Sequence, residues 1–454
     1  MSGNKSLIIN RPHFCGVLFI IDLFFVDSNM NVYVRKNTSY YYPIIYVIKI
    51  IEKNRNIKFT LIDSVENAKI IWDDKKDNSE VIAIDFYNSL SNNLNELNHE
   101  KLFSLSPKIT CQNSDEDLIA TIFYLINSLQ EIQPNDEDLD ELGRYKYSAS
   151  YQSRFNIINE NLVEKLIDKF CAKHSISGRK NDSVFFVSHD IDNIYGSLLE
   201  DGFWALKRMK IGAILNLIIF EITKNPHWRN IDRIIKINNT HDIKSTFFWL
   251  VNHGISKNGI NNADYKLNEV RDLIDNIEKS NNVNGLHKSS YEMSIDEELI
   301  KGNLNTKCNR YHYLKFLPHK DWKKISNSSL NFDASLGFSE QCGFRNSYGK
   351  SFQPFDISEN KPYDFIESPL HFMDRTFHKY MKTPTNQIGD TIIDMFEKNE
   401  KNCDFSLLWH NNYFTDYKYN SFIKEYKKII TFIYESKIQC VSPNELVEKN
   451  YLKW

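Results

Sequence analysis

Two carboxylates one residue apart close an apolar run in Val184-Phe185-Phe186-Val187-Ser188-His189-Asp190-Ile191-Asp192. On a strand, such a pair points to one side of the pleat. Two acids held together repel unless a cation or a basic partner sits between them. A plainer reading is also open, a strand running into an Asx turn or a helix cap. Three later stretches favour chemistry: Gly285-Leu286-His287, Arg310-Tyr311-His312-Tyr313 after Cys308, and Leu407-Leu408-Trp409-His410. Any one of these histidines alone is more often a satisfied structural residue than a ligand. Their recurrence at successive strand ends would bring carboxylates, imidazoles and a guanidinium to one mouth, where parallel barrels carry their reactive groups.

The elements that must position these groups alternate. Strand candidates are Val184–Ser188, Lys244–Leu250, Val283–His287, Leu330–Asp333, Asp364–Glu367, Phe405–His410 and Ile438–Val441. Between them lie helical segments at Phe203–Lys224, Ala263–Lys279, Asp296–Leu304, Asn386–Lys398 and Ser421–Glu435. Strand–helix alternation implies parallel strands with crossover helices, and a barrel is the economical closure. The first part of the chain reads as a smaller α/β unit. Its strand candidates are Ser6–Asn10, Gly16–Val26, Phe59–Asp63, Lys69–Trp72 and Glu80–Phe86, and its helices Tyr40–Lys53, Asp115–Glu131 and Leu162–Lys173. We expect two domains, 1–178 of unknown role and 179–454, with the linker at Ser175–Asp182, where Ser, Gly and charges cluster.

The 454 residues are 41% hydrophobic and 25% charged, with a net charge of −3, which argues against nucleic acid as the main partner. Seven cysteines without a Cys-x-x-Cys pair read as reduced thiols. The apolar stretch Phe14–Val26 contains Asp22 and is read as a core strand. Phe203–Phe220 is read as a core or interface helix, not a membrane anchor, because Lys207, Arg208, Lys210 and Glu221 interrupt or flank it. No stretch is read as a membrane span, and a cytoplasmic protein is expected.

In order, Ser-His-Asp-x-Asp, Ser245-Thr-Phe-Phe248, Gly-Leu-His, Arg-x-x-Tyr and Leu-Leu-Trp-His resemble the polysaccharide deacetylases of carbohydrate esterase family four. The likeness is to a subgroup found among bacterial surface-polysaccharide genes, in which an uncharacterised N-terminal domain precedes the deacetylase domain. Asp333-Ala-Ser-Leu-Gly-Phe and Gly343-Phe-Arg345 also resemble that subgroup. The resemblance implies a distorted (β/α) barrel with seven strands. It also implies Asp190 as catalytic base, Arg310 as its partner, His410 as general acid, and Asp192 and His287 as ligands of a divalent metal, zinc ahead of nickel or cobalt. The metal would activate water and polarise the carbonyl, while the carboxylate and the imidazole move protons.

The family's usual His-x-x-x-His pair is here His287-Lys-Ser-Ser-Tyr291, and a phenol is a poor zinc ligand. His312 or His189 could replace the second histidine, with His312 favoured; two residues and waters could hold the metal; or none binds. Tyr313, Arg345 and Trp409 are candidates to line a carbohydrate groove, although barrel packing is the plainer reading of Trp409. Asp374 is a candidate to orient His410, and Glu367 to orient His371 or bind substrate, with a salt bridge or strand-end cap as its plainer reading. The implied function is removal of an acyl group, N-acetyl first, from a sugar in surface-polysaccharide or glycan-precursor metabolism, with polysaccharide-synthesis proteins as possible partners. Two alternatives stand beside it: a catalytically inactive carbohydrate-binding or assembly barrel, and hydrolysis of a non-sugar amide.

Overall fold

The computed structural model describes residues 30–454 apart from 93, 98, 105, 112, 113, 197, 224–227 and 416. The expected strands Ser6–Asn10 and Gly16–Val26 lie outside the described residues. β1 (Met30–Val34), β2 (Phe59–Leu61) and β3 (Ile70–Trp72) form a parallel sheet in the order β2-β1-β3. Met30, Val32 and Val34 alternate into the core, as period two requires. Helices Tyr41–Arg55, Leu118–Ile126 and Leu162–Lys173 pack beside it. The segment expected as a strand at Glu80–Phe86 instead runs into the helix Ile84–Asn92. The reason is local: the Asp117 carboxylate accepts Ala83 N–H at 2.8 Å, satisfying a donor just before that helix while also capping Leu118–Ile126 through Ala120 N–H.

The second sheet is built from β4 (Val184–Ile191), β5 (Ser245–Leu250), β6 (Val283–Lys288), β7 (Cys308–Tyr311), β8 (Phe332–Asp333), β11 (Ile366–Glu367), β12 (Phe372–Met373) and β13 (Asp404–Leu408). Every pairing is parallel, in the order β11-β8-β7-β6-β5-β4-β13-β12. A small antiparallel ribbon, β9 (Phe355–Asp356) with β10 (Lys361–Pro362), stands apart. The sheet therefore has eight strands where seven were expected. β7 has no apolar run to mark it, and Ile438–Val441 contributes only a bridge from Cys440 to Phe185.

The sheet is curled. Flat, its eight strands would span about 34 Å at about 4.8 Å per step, yet its two edge strands are joined by residues 368–371 alone, a reach of at most about 18 Å. That segment hydrogen-bonds to both sides of the gap, Ser368 N–H to Asp333 O at 2.8 Å and His371 N–H to Ser406 O at 3.3 Å.

One apolar cluster runs from Val32, Ile44 and Phe123 to Phe405, Trp409 and Ile430. Polar contacts reinforce it: Tyr348 Oη–H donates to Asn54 Oδ1 at 3.0 Å and Tyr46 Oη–H to Gln353 O at 2.7 Å. The helix expected over Phe203–Lys224 is two helices, Leu198–Lys207 and Ile211–Thr223, broken where Met209 takes φ +53°. Among the described residues no helix is long and apolar enough to cross a membrane.

Candidate active site

β6 and β7 are neighbours, so His287 stands in register with Arg310, and across β5 both face the carboxylates at the end of β4. Asp190 Oδ1 accepts from Arg310 Nη1 at 2.8 Å, and its Oδ2 lies 3.5 Å from His287 Nε2. Arg310 is itself held by Ala334 O at 2.9 Å and by the Phe248 ring, 4.6 Å away. Asp192 Oδ1 lies 3.3 Å from His287 Nε2 and 3.6 Å from His312 Nε2. Its Oδ2 lies 3.4 Å from Arg375 Nη1 and 3.7 Å from His410 Nε2. His410 turns its other ring nitrogen to Asp374 Oδ1 at 2.7 Å.

The charges follow from these contacts. Burial pushes Asp190 up, but Arg310, His287 and His410 outweigh it and hold the carboxyl below its usual range. Burial likewise opposes ionisation of Asp192, and His312, His287 and His410 hold it well below. Burial lowers His410, and Asp374 more than restores it, leaving the imidazole raised and so protonated more readily. Burial pushes His312 down to about 3, which leaves a neutral ring with a free lone pair.

The fit of a metal can be judged from donors alone. Asp192 Oδ1 is buried without a hydrogen-bond partner. One ligand atom each from Asp192, His287 and His312 lie within 4.8 Å of one another. His287 Nδ1 sits 2.8 Å from Arg310 O, a contact that makes Nδ1 the N–H and leaves Nε2 for the cluster. One carboxylate and two imidazoles suit zinc, so the residues present fit the group.

The structure does not bring every candidate here. Tyr291 Oη donates to His253 O and Ile255 O, both at 3.1 Å, so it is spent on a loop. His189 points to the opposite side of β4 from Asp190, with Nδ1 2.7 Å from Trp409 O. Trp409 is fully buried against Phe422 and Tyr426, and Arg345 is buried in a bidentate pair with Glu131. Neither faces the mouth, and both are corrected to packing roles. His371 takes Ser406 N–H on Nδ1 at 3.1 Å, while Glu367 takes Trp322 Nε1–H at 2.8 Å; these too are internal.

Tyr313 does line the mouth, a cavity of about 330 Å³ shared with Asp190, Asp192, His287, His312 and His410. Sequence reasoning missed Arg144, Leu142, Arg375 and Tyr380, which complete its wall. Arg375 adjoins Asp374 and could have been noticed; nothing in Glu141-Leu-Gly-Arg-Tyr signals a wall on the far side of the chain.

Residues 30–175 match a family model described as "Family of unknown function (DUF7033)". None of the curated proteins matches. Among solved structures the chain is similar to a putative polysaccharide deacetylase from Mycobacterium smegmatis, at 11% identity and a TM-score of 0.38, over 61% of this chain and 94% of that one. It is also similar to a CE4 family pseudoenzyme from Bacillus anthracis, at 12% identity and a TM-score of 0.27 over 61% and 69% of the chains. The allantoinase Puue is similar at 9% identity and a TM-score of 0.40, over 59% and 89%.

Proposed function

We propose that the chain is a metal-dependent hydrolase that removes an acyl group, N-acetyl first, from a sugar in surface-polysaccharide or glycan-precursor metabolism. One observation carries the reading. A base held ionised by an arginine, a three-donor cluster and a carboxylate-oriented imidazole face one cavity of about 330 Å³. Asp192, His287 and His312 would hold a divalent metal, zinc ahead of nickel or cobalt, and when bound it supplies Lewis acidity. Asp190 takes the proton of the attacking water, because Arg310 keeps its carboxylate charged. His410 delivers a proton to the departing nitrogen from Nε2, its ring fixed by Asp374 at Nδ1. Tyr313 and Arg144 shape the wall that receives the sugar.

A catalytically inactive sugar-binding barrel is the second reading, and Tyr291 favours it. Against it stands His312, whose Nε2 lies 3.6 Å from Asp192. The test pairs metal content by mass spectrometry with turnover of N-acetylated sugars. Wild type should hold near-stoichiometric metal that disappears in Asp192→Ala. Asp190→Asn should lose at least 10²-fold in kcat while remaining folded, since an amide oxygen still accepts from Arg310. Metal-free wild type under replete conditions would move the assignment to the binding protein.

A further inference from the structure

We propose that the helical hairpin Leu198–Lys207 and Ile211–Thr223 docks in the plane of an anionic lipid surface. In its second helix, Ile211, Leu215, Ile218, Ile219 and Ile222 are 68%, 55%, 46%, 54% and 76% exposed. Their spacing of four, three, one and three residues forms one stripe. Leu217 faces inward and is buried, so the helix is apolar on both sides. Phe203, 69% exposed, extends the stripe onto the first helix, and Met209, 83% exposed, onto the connection. Monomeric soluble proteins rarely leave a patch of this kind to water.

Charge selects the occupant. Lys207, Arg208 and Lys210 crowd the turn, all exposed, while the hairpin's acids stand away from it, Glu200 and Asp201 near its start and Glu221 near its end. Arg208 also lies 5.3 Å over the Trp204 ring. An apolar stripe edged by cations and a tryptophan is the composition of a helix that lies at a membrane interface. A second copy packed turn to turn would set the three cations of each turn against each other. At 13 residues the second helix is about 20 Å long, too short to span a bilayer core of about 30 Å, so it lies in plane.

The hairpin is tied beside the mouth. It leaves the chain just after β4, and Asp201 accepts from Trp228 Nε1 at 3.0 Å and from Lys418 Nζ at 2.8 Å. Asn411, next to His410, donates to Trp228 O at 2.8 Å.

The test is sedimentation of the full chain with vesicles of phosphatidylcholine, alone or mixed with phosphatidylglycerol. Wild type should bind the mixed vesicles more tightly. With a gain of about fivefold per cation, the triple variant Lys207→Gln, Arg208→Gln, Lys210→Gln should lose roughly a hundredfold of that preference. Leu215→Gln, Ile218→Gln, Ile222→Gln should bind both vesicles more than tenfold more weakly, with Tm and metal content unchanged. Two results would overturn the inference: no binding by wild type, or a dimer in sedimentation velocity that this apolar variant abolishes while vesicles stay unbound. Metal content, read in parallel, reports on the hydrolase assignment separately.

Discussion

His410 touches two carboxylates through different nitrogens, and the distinction sets its role. Asp374 accepts at Nδ1, at 2.7 Å, which fixes the tautomer and the ring plane. Asp192 lies 3.7 Å from Nε2, on the side open to the cavity. In Asp374→Asn the amide oxygen stays with His410 N–H and the NH2 turns to Nδ1, fixing the wrong tautomer, so kcat should fall by about 10²-fold or more, with KM and metal content retained; a kcat within threefold of wild type would remove His410 from proton transfer. Much of this was legible beforehand. Asp190, Asp192, His287 and His410 stand at the ends of recognisable strands or just beyond them, and side-chain alternation places the two carboxylates on one side, whereas Arg310, on the unmarked β7, was legible only through its motif. The same alternation, applied strictly, would have excluded His189 and Trp409, each adjacent in extended chain to a residue that faces the site. Arg345 was not legible, because its partner Glu131 lies 214 positions away.

At the scale of elements, the turn after β7 carries His312 into the cluster at a conformational cost. Tyr313 and Leu314 both take left-handed φ, +60° and +52°, which for non-glycine residues costs on the order of 1–3 kcal/mol each. Arg144 holds this turn by donating from Nη1 to Tyr313 O at 2.9 Å, and Asp140 in turn grips Arg144 Nε at 2.7 Å. Arg144→Ala should therefore weaken metal binding by about tenfold, as loss of an outer partner of a ligand does, measured by titration with a chelator. Retained affinity would show that packing alone holds the turn. A second element pair predicts a pH effect. Asp333 and Glu367 face each other in register on β8 and β11, both fully buried. Burial above all, with repulsion from Asp333 added, raises Glu367 well above its ordinary value, and burial pushes Asp333 up to about 6. A raised folded pKa means the stabilisation is complete below the unfolded carboxylate range and is lost as pH rises through the pair's raised values. The urea midpoint of wild type should fall between pH 5 and 8, and Glu367→Gln should flatten that fall; an equal fall in both would place the titration elsewhere. The two-residue edge strand β12 escaped prediction because its pairing depends on the curl, not on any local apolar run, whereas the equally short β8 lies within the expected Leu330–Asp333.

At the scale of the molecule, the two parts of the chain are cemented by a motif that looked like a substrate site. Gly343 takes φ +125°, and a Cβ there would come 2.4 Å from Ile158 O, so the loop after β8 can approach the N-terminal part only through glycine. Two residues on, Arg345 meets Glu131 at 3.0 and 2.5 Å, with Gly337 O taking a third N–H at 2.8 Å. Both side chains are almost wholly buried. Removing one partner of such a pair strands the other charge in the interior, at a cost of about 3–5 kcal/mol, whereas replacing both by apolar groups is near neutral. Arg345→Met should therefore destabilise strongly, and Arg345→Met with Glu131→Leu should recover most of the loss. Unfolding can be followed at Trp72 in the N-terminal sheet and at Trp249 in the curled sheet, with the other tryptophans replaced. Because one apolar cluster crosses the junction, the two probes should report a single midpoint in wild type and in the double variant. In Arg345→Met they should move down together; a midpoint that shifts for one probe alone would show that each part folds on its own core and that the pair only docks them.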